Sequence, residues 1–283
     1  MLQFSIFLND ICINIHAQTV FAKAINDILF SSLLEQSKNL CPMADFTLTV
    51  RDNNFVLSDM GGESFIFPTM GEVLYTLEWK IVDKLVGRHN RFFQFHGAAL
   101  SFGNCGYIFI GNPGTGKTSL SILLMRKGFG FFSDEISLID PENFVLAPFP
   151  RNLIIKPHLQ RDLFIPQDSI ALEIDADNDE KEFAYFLSPD FFGKTDAKSQ
   201  VKLKKIFFLH LTDRENFYLE SVGNHEAFNQ LLPQLFNADK IKNTPGIIVQ
   251  MLQKIPCFNL YTSKPLLYDK QKIDNLKNQI ISE

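Results

Sequence analysis

Residues 106–118, Gly106-Tyr-Ile-Phe-Ile-Gly-Asn-Pro-Gly-Thr-Gly-Lys-Thr118, decide how this chain is read. The first five are glycine or apolar and form a short run of the kind that a buried strand needs. After it, Gly111, Asn112, Pro113, Gly114, Thr115, Gly116, Lys117 and Thr118 satisfy the pattern G-x-x-x-x-G-K-[ST] at every position. The glycines let the backbone curl round an anion with its N–H groups pointing inward. A helix is predicted over 118–127, and its first turn, including Ser119, presents a positive end to the same anion. In such a P-loop the lysine reaches the β- and γ-phosphates and the Thr118 hydroxyl binds Mg²⁺. The expected ligand is a nucleoside triphosphate, taken as ATP, with Mg²⁺.

Working outward, residues 95–102 and 106–110 read as two apolar strands around Gly103-Asn104-Cys105. A hairpin centred near Asn104 sets His96 opposite Asn112, at the mouth of the loop. There an imidazole can orient neighbouring carboxylates or contact phosphate. On the other side, Gly128 reads as the cap of the helix, and 129–132 is a wholly apolar run suited to a buried strand. That run closes at Ser133-Asp134-Glu135, with Asp134 seventeen residues beyond Lys117. If it runs parallel to the strand feeding the loop, its carboxyl end lies beside the phosphates. Two adjacent carboxylates can divide the work, one holding Mg²⁺ and the other taking a proton from an attacking hydroxyl. Lys117, Asp134, Glu135 and His96 are therefore the candidate catalytic groups, and Thr118 and Asp134 the candidate metal ligands. Arg151, just after Pro148-Phe-Pro, is a candidate cation for offsetting charge on the transferred group, with Lys156 behind it.

Together, His96-Gly-Ala-Ala-Leu100, the loop 111–118, Arg126-Lys-Gly128 and Ser133-Asp-Glu135 resemble the catalytic domain of HPr kinase/phosphorylase. They look most like its shorter bacterial relatives. In that family a histidine opens a strand fifteen residues before the loop, a basic residue and a glycine end the helix, and an acidic pair closes the next strand at this spacing. The likeness spans residues 90–160 well and 200–283 loosely. It implies that Lys117 binds the transferring phosphate and that Thr118 binds Mg²⁺. It also implies that Glu135 stands where the family has the base for a serine hydroxyl, with Asp134 as its acidic partner near the metal and His96 as the active-site histidine. The family's base is aspartate, so Asp134 stays the alternative base. The glycine-rich signature that follows the acidic pair in the family is missing here. That argues against HPr itself as substrate and against reverse phosphorolysis. The stretch 114–118 also looks like ATP-dependent phosphoenolpyruvate carboxykinase, but the chain is too short for that enzyme.

Elsewhere the sequence is informative mainly about organisation. Residues 1–90 read as a small α+β domain and 91–283 as the P-loop domain with a mixed sheet, so the expected class is α/β. In the first part, 4–8 and 11–15 flank a hairpin turn at Asn9-Asp10, 46–50 alternates as a half-buried strand, and Asp52-Asn53-Asn54 turns into 55–57. Residues 64–67 form another strand, ending at Pro68. Val73, Leu77, Ile81 and Leu85 recur every four residues and predict a helix over 71–87. The stretch 148–156 begins as a turn and runs into a strand. The acidic run 175–182 reads as a solvated loop. The last third predicts strands at 206–211, 217–222 and 258–262 and helices at 226–236, 245–254 and 270–281.

Composition removes several classes of function. The chain has 29 Phe against 6 Tyr and 1 Trp, which points to an aromatic-rich core. A net charge of -5 without a basic stripe argues against nucleic acid. Cys12, Cys41, Cys105 and Cys257 form no C-x-x-C pair, which argues against zinc and for free thiols in a reducing compartment. The N-terminus lacks a basic region before its apolar start, and no stretch reaches the ~20 apolar residues of a membrane span. The expected setting is cytoplasmic, without membrane or nucleic-acid partners. The expected activity is transfer of a γ-phosphoryl group to a hydroxyl of a protein, a peptide or a small molecule. A nucleotide-sensing or peptide-handling module, or a switch that hydrolyses ATP or GTP, is the alternative. The resemblance implies a homo-oligomer, although no interface is readable.

Overall fold

The computed structural model describes residues 1–8, 11–37, 43–159, 163–165, 171–175, 181–195, 200–267 and 269–282, with the backbone alone at 158, 173–175, 181–182 and 264. The chain divides into two compact units, Met1–Arg88 with Arg151–Ser188, and His89–Pro150 with Pro189–Glu283.

The first unit begins with β1 (Leu2–Leu8), β2 (Ile11–Ala17), α1 (Ala22–Ile28), β3 (Leu34–Ser37), β4 (Phe46–Arg51), β5 (Asn54–Asp59), β6 (Ser64–Phe67) and α2 (Met70–Arg88). Its strands form a sheet in the order β3-β1-β2-β4-β5-β6. β1 and β2 are antiparallel with Leu8 opposite Ile11, and the expected Asn9-Asp10 turn lies outside the described residues. Between β4 and β5, Asp52 and Asn53 adopt φ of 48° and 61°, the paired left-handed geometry of a tight hairpin that short polar residues tolerate. Val73, Leu77, Ile81 and Leu85 are fully buried, so the four-residue repeat marks the face by which α2 packs on β2, β5 and β6.

His89–Pro150 then supplies β7 (Phe93–Phe102), β8 (Cys105–Ile110), α3 (Lys117–Met125), β9 (Gly130–Ser133), β10 (Ile136–Ile139) and β11 (Val145–Ala147). The sequence predicts a single boundary near residue 90, yet Arg151–Ser188 belongs to the first unit. It contributes β12 (Leu153–Ile155), β13 (Ala171–Asp175) and β14 (Lys181–Leu187), ordered β12-β14-β13. The physical reason is a set of long-range ties. Phe186 meets Tyr75 edge-on at 6.5 Å, α2 packs on β13, and the Asn152 side-chain Oδ1 accepts from the Ser31 hydroxyl at 2.8 Å. None of these has a local sequence signature. Of the acidic run, residues 176–180 lie outside the described residues.

Pro189–Glu283 completes the second unit with β15 (Val201–Leu211), β16 (Tyr218–Val222), α4 (Asn224–Leu231), α5 (Thr244–Lys254), β17 (Cys257–Thr262), α6 (Lys264–Leu267) and α7 (Lys270–Ile281). Its sheet runs β11-β10-β7-β8-β15-β17-β16, with β9 also paired to β7. β8, β15 and β17 are parallel, whereas β7 and β16 run against their neighbours. The fold is thus mixed α/β. α4 and α5 pack on the face that carries Phe93, Phe95, Ile108, Ile110, Ile206 and Phe208. On the other face Phe109 stacks on Phe207 at 5.2 Å and Phe207 on Phe258 at 5.7 Å, beside the mutually packed α3, α6 and α7. Phenylalanine suits such a core because its ring brings no hydroxyl to satisfy. The helix expected over 226–236 stops at Leu231 and passes into a 3₁₀ turn, Leu232–Gln234. Pro233 lacks the N–H that would continue the α-helical ladder. Among the described residues no helix is long and apolar enough to cross a membrane.

Candidate functional site

β8 ends where the glycine-rich loop begins, and the loop's conformation follows from its residues. Gly114 and Gly116 take φ of 82° and 91°, open to glycine at little cost. A Cβ on Gly111 would lie 2.7 Å from the Thr115 hydroxyl and 3.0 Å from the Leu209 Cβ, so the loop closes on itself only with glycine there. Thr115 is buried, and its hydroxyl donates to the Asn112 carbonyl at 2.8 Å, which fixes the curl. Asn112, Pro113 and Gly114 are exposed at the tip, and Ser119 is buried in the first turn of α3. The Lys117 ammonium donates to the Gly111 carbonyl at 2.6 Å and to that of Asn112 at 3.3 Å, arching back over the loop.

The acidic pair sits at a break in one line of strand. β9 and β10 both run antiparallel to β7, with Ser133 opposite Ala99 and Ile136 opposite His96. β9 therefore runs in the direction of β8, with β7 between them. The register of β9 on β7 shifts at Phe132, between the Phe131–Leu100 and Ser133–Ala99 pairs. Asp134 and Glu135 form the bend that follows it, between β9 and β10, and such irregularities re-aim side chains. Four hydrogen bonds hold this bend. The Ser133 hydroxyl oxygen accepts from the amides of Glu135 at 3.3 Å and Ile136 at 3.0 Å. The Gly97 amide donates to the Glu135 carbonyl at 2.9 Å. The Ser137 hydroxyl donates to the Gly97 carbonyl at 2.9 Å. The result brings an Asp134 carboxylate oxygen within 3.5 Å of the Thr118 hydroxyl, which donates to it.

The hairpin that carries His96 turns at Gly103-Asn104, pairing Phe102 with Cys105 and Gly97 with Ile110. The expected register, with His96 opposite Asn112, is off by one residue, so continuing the pairing sets His96 level with Gly111. The difference comes from a two-residue turn in which Gly103 takes φ of 58°. The imidazole lies close enough to feel both Lys117 and Glu135. Burial and then the Lys117 charge push its pKa below the ordinary histidine value, against an upward pull from Glu135 and from a hydrogen bond to the Gln234 side chain. Lys117 is likewise pushed below the ordinary lysine value by burial, opposed by the carboxylates of Glu135 and Asp134. One ammonium, one imidazole held toward its neutral form and two carboxylates thus share one partly buried end of the sheet.

Arg151 lies in the first unit. Its guanidinium is fully buried and pairs with the equally buried Glu78 carboxylate at 3.0 Å, under the Trp79 ring at 5.8 Å. Lys156 lies in the same unit and is exposed. Three contributors escaped the sequence reading in their positional roles: Ser133, Gly97 and Gln234. Ser133 directly precedes the acidic pair, and a serine bonding amides two and three residues ahead is a recognisable local turn. Gln234 offers no local signal, because it meets His96 only through the fold. Among the described residues no group of three His, Cys, Asp or Glu forms a metal cluster.

No family model matches the chain, and no curated protein matches it. Among solved structures it is similar to the Hpr(Ser) kinase/phosphatase from Coxiella burnetii. The TM-score is 0.33 and the identity 13%, over 67% of this chain and 99% of that one.

Proposed function

We propose that the second unit binds ATP with Mg²⁺ through the loop 111–118 and Ser119, and transfers the γ-phosphoryl group to a hydroxyl. The acceptor hydroxyl is that of a serine in a protein or peptide, or of a small molecule. One observation carries the reading: the Thr118 hydroxyl and the Asp134 carboxylate meet at 3.5 Å, although they stand on α3 and at the end of β9. Two oxygen donors brought together beside a glycine-lined anion loop suit a hard divalent cation. Thr118 and Asp134 would hold Mg²⁺, which when bound offsets charge on the phosphoryl oxygens.

The remaining groups have separable work. The loop amides and Lys117 bind and orient the phosphates, with the ammonium leaving the Gly111 and Asn112 carbonyls for phosphate oxygens. Glu135, whose backbone is clamped at both its amide and its carbonyl, accepts the proton of the acceptor hydroxyl as it attacks. Asp134 is the alternative base. His96, which feels the charges of Lys117 and Glu135, orients the acidic pair or contacts phosphate. Arg151 has no part in this scheme, since Glu78 engages it within the first unit.

The test is transfer from γ-labelled ATP with Mg²⁺ to a lysate of the source organism, run beside Glu135→Gln and Lys117→Ala. A labelled species seen with wild type and lost in both variants supports the kinase and identifies its acceptor. Tight Mg-nucleotide binding by calorimetry with no label above the Glu135→Gln level in any fraction overturns transfer and leaves nucleotide binding alone.

A further inference from the structure

The acidic end of the nucleotide site lies on one side of β8. Asp134 and Glu135 follow β9 and His96 stands on β7, the neighbour of β8 on that side. A reacting phosphate held there leaves the rest of a nucleotide to extend the other way, over the carboxyl ends of β15 and β17 and the start of β16. The strand register sets one row of side chains in that place. Phe208 pairs with Ile110, so continuing the pairing puts His210 level with Asn112; His210 pairs with Tyr261, and Tyr261 with Tyr218. At ordinary strand spacing, Tyr261 stands about 10 Å and Tyr218 about 14 Å across the sheet from the strand that feeds the loop. A ribose and its phosphates bridge such a gap.

The row is a supported platform. The Tyr261 ring packs between His210 at 5.3 Å and Tyr218 at 5.7 Å, and its hydroxyl donates to the Glu220 carboxylate at 3.1 Å. His210 is held in turn, with Nε2 3.0 Å from Oδ1 of the buried Asn259. The outermost ring, Tyr218, is 41% exposed, and the Arg214 guanidinium lies 4.5 Å from its centroid. A ring face that takes one flat group can take another, and a base stacks on an aromatic side chain in the same way. We propose that Tyr218, backed by Tyr261, is the nucleobase subsite of the nucleotide site, with a purine base stacked on its ring where the Arg214 guanidinium lies here. The inference rests on the nucleotide-site reading for its ligand, and on the row of rings alone for its geometry.

The test compares calorimetric affinities for Mg-ATPγS and for Mg-tripolyphosphate, which lacks a base, in wild type, Tyr218→Ala and Tyr218→Phe. Tyr218→Ala should weaken Mg-ATPγS about tenfold and leave Mg-tripolyphosphate unchanged, whereas Tyr218→Phe, which keeps the ring, should match wild type for both. In wild type, nuclear Overhauser contacts should join the purine H2 or H8 of bound Mg-ATPγS to the Tyr218 ring protons, a reading that needs no variant. Unchanged Mg-ATPγS affinity in Tyr218→Ala, equal weakening of both probes, or purine contacts to other side chains alone overturns the subsite. If wild type binds neither probe, the nucleotide reading fails separately. Adenosine alone then decides the subsite, since its purine protons either contact the Tyr218 ring, which upholds it, or do not, which overturns it.

Discussion

The Ser133 hydroxyl oxygen accepts the Ile136 amide at 3.0 Å, and that bond closes the turn that aims Asp134 and Glu135. The same oxygen accepts the Glu135 amide at 3.3 Å. Ser133 is only 1% exposed, so water cannot readily replace it. Ser133→Ala leaves at least one of these amides to be re-satisfied in a buried place, which costs about 1–3 kcal/mol. Phosphoryl transfer should fall by more than Mg-nucleotide affinity does, because the loop 111–118 keeps its own bonds. Chemical denaturation and a comparison of transfer rate with calorimetric affinity check both parts. Equal losses in rate and affinity would show that the turn serves folding alone.

Gly97 tests the same turn from the opposite strand. A Cβ there would stand 2.7 Å from the Ile110 Cδ1 and 2.9 Å from the Phe109 carbonyl oxygen. The side-chain contact can yield, but the backbone one cannot without shifting β8, the strand that leads into the loop. Gly97→Ala should destabilise by about 1–3 kcal/mol, as overpacked sites do. The Gly97 amide also donates to the Glu135 carbonyl, so the acidic pair should move with it. A denaturation midpoint indistinguishable from wild type would refute the close packing of β7 on β8.

Much of this arrangement can be read in the chain itself, and the reasons for the remainder are specific. The loop is legible because each of its residues does local work: Gly114 and Gly116 take positive φ, and Thr115 bonds Asn112 three residues away. α2 is legible because one apolar stripe at period four meets one packing face. β10 and β11 are four and three residues long and carry too few side chains to show a period. The register of His96 slips by one because a hairpin centre read from apolar runs does not distinguish a two-residue from a three-residue turn. The return of Arg151–Ser188 to the first unit depends on partners such as Ser31 and Tyr75, more than seventy residues away. Gln234 is hidden for the same reason.

The folded-state shift of His96 has a consequence for stability. Its pKa is lowered from the ordinary value of 6.5, so the unfolded chain binds a proton more readily than the folded one. Stability from this group is therefore fully present above 6.5 and is lost as pH falls through the folded-state value. His96→Gln should remove that part of the acid sensitivity and leave the other titrating groups in place. Urea denaturation of both proteins at a series of pH values isolates the effect as a difference. The gap between the two curves should change below about pH 6.5 and stay constant above it. A gap that does not vary with pH would mean that burial and Lys117 do not act on the imidazole as described.

The last prediction concerns Arg151 and separates a structural cation from a phosphate-binding one. The guanidinium and the Glu78 carboxylate are 1% and 3% exposed, so solvent screens their attraction little. Removing one partner leaves a charge buried without its counter-charge, and such changes cost about 3–5 kcal/mol. Arg151→Met and Glu78→Gln should each destabilise the first unit to that extent. The double substitution Arg151→Met with Glu78→Leu should recover most of the loss, because an apolar pair of similar volume has no charges to desolvate. At a temperature where all variants remain folded, Mg-nucleotide affinity should match wild type throughout. A charge lost from the phosphate site behaves differently, since Arg151→Met would weaken nucleotide binding about tenfold or more while Glu78→Gln would not. Calorimetry on the two single variants therefore decides between the roles even if the double variant proves poorly folded.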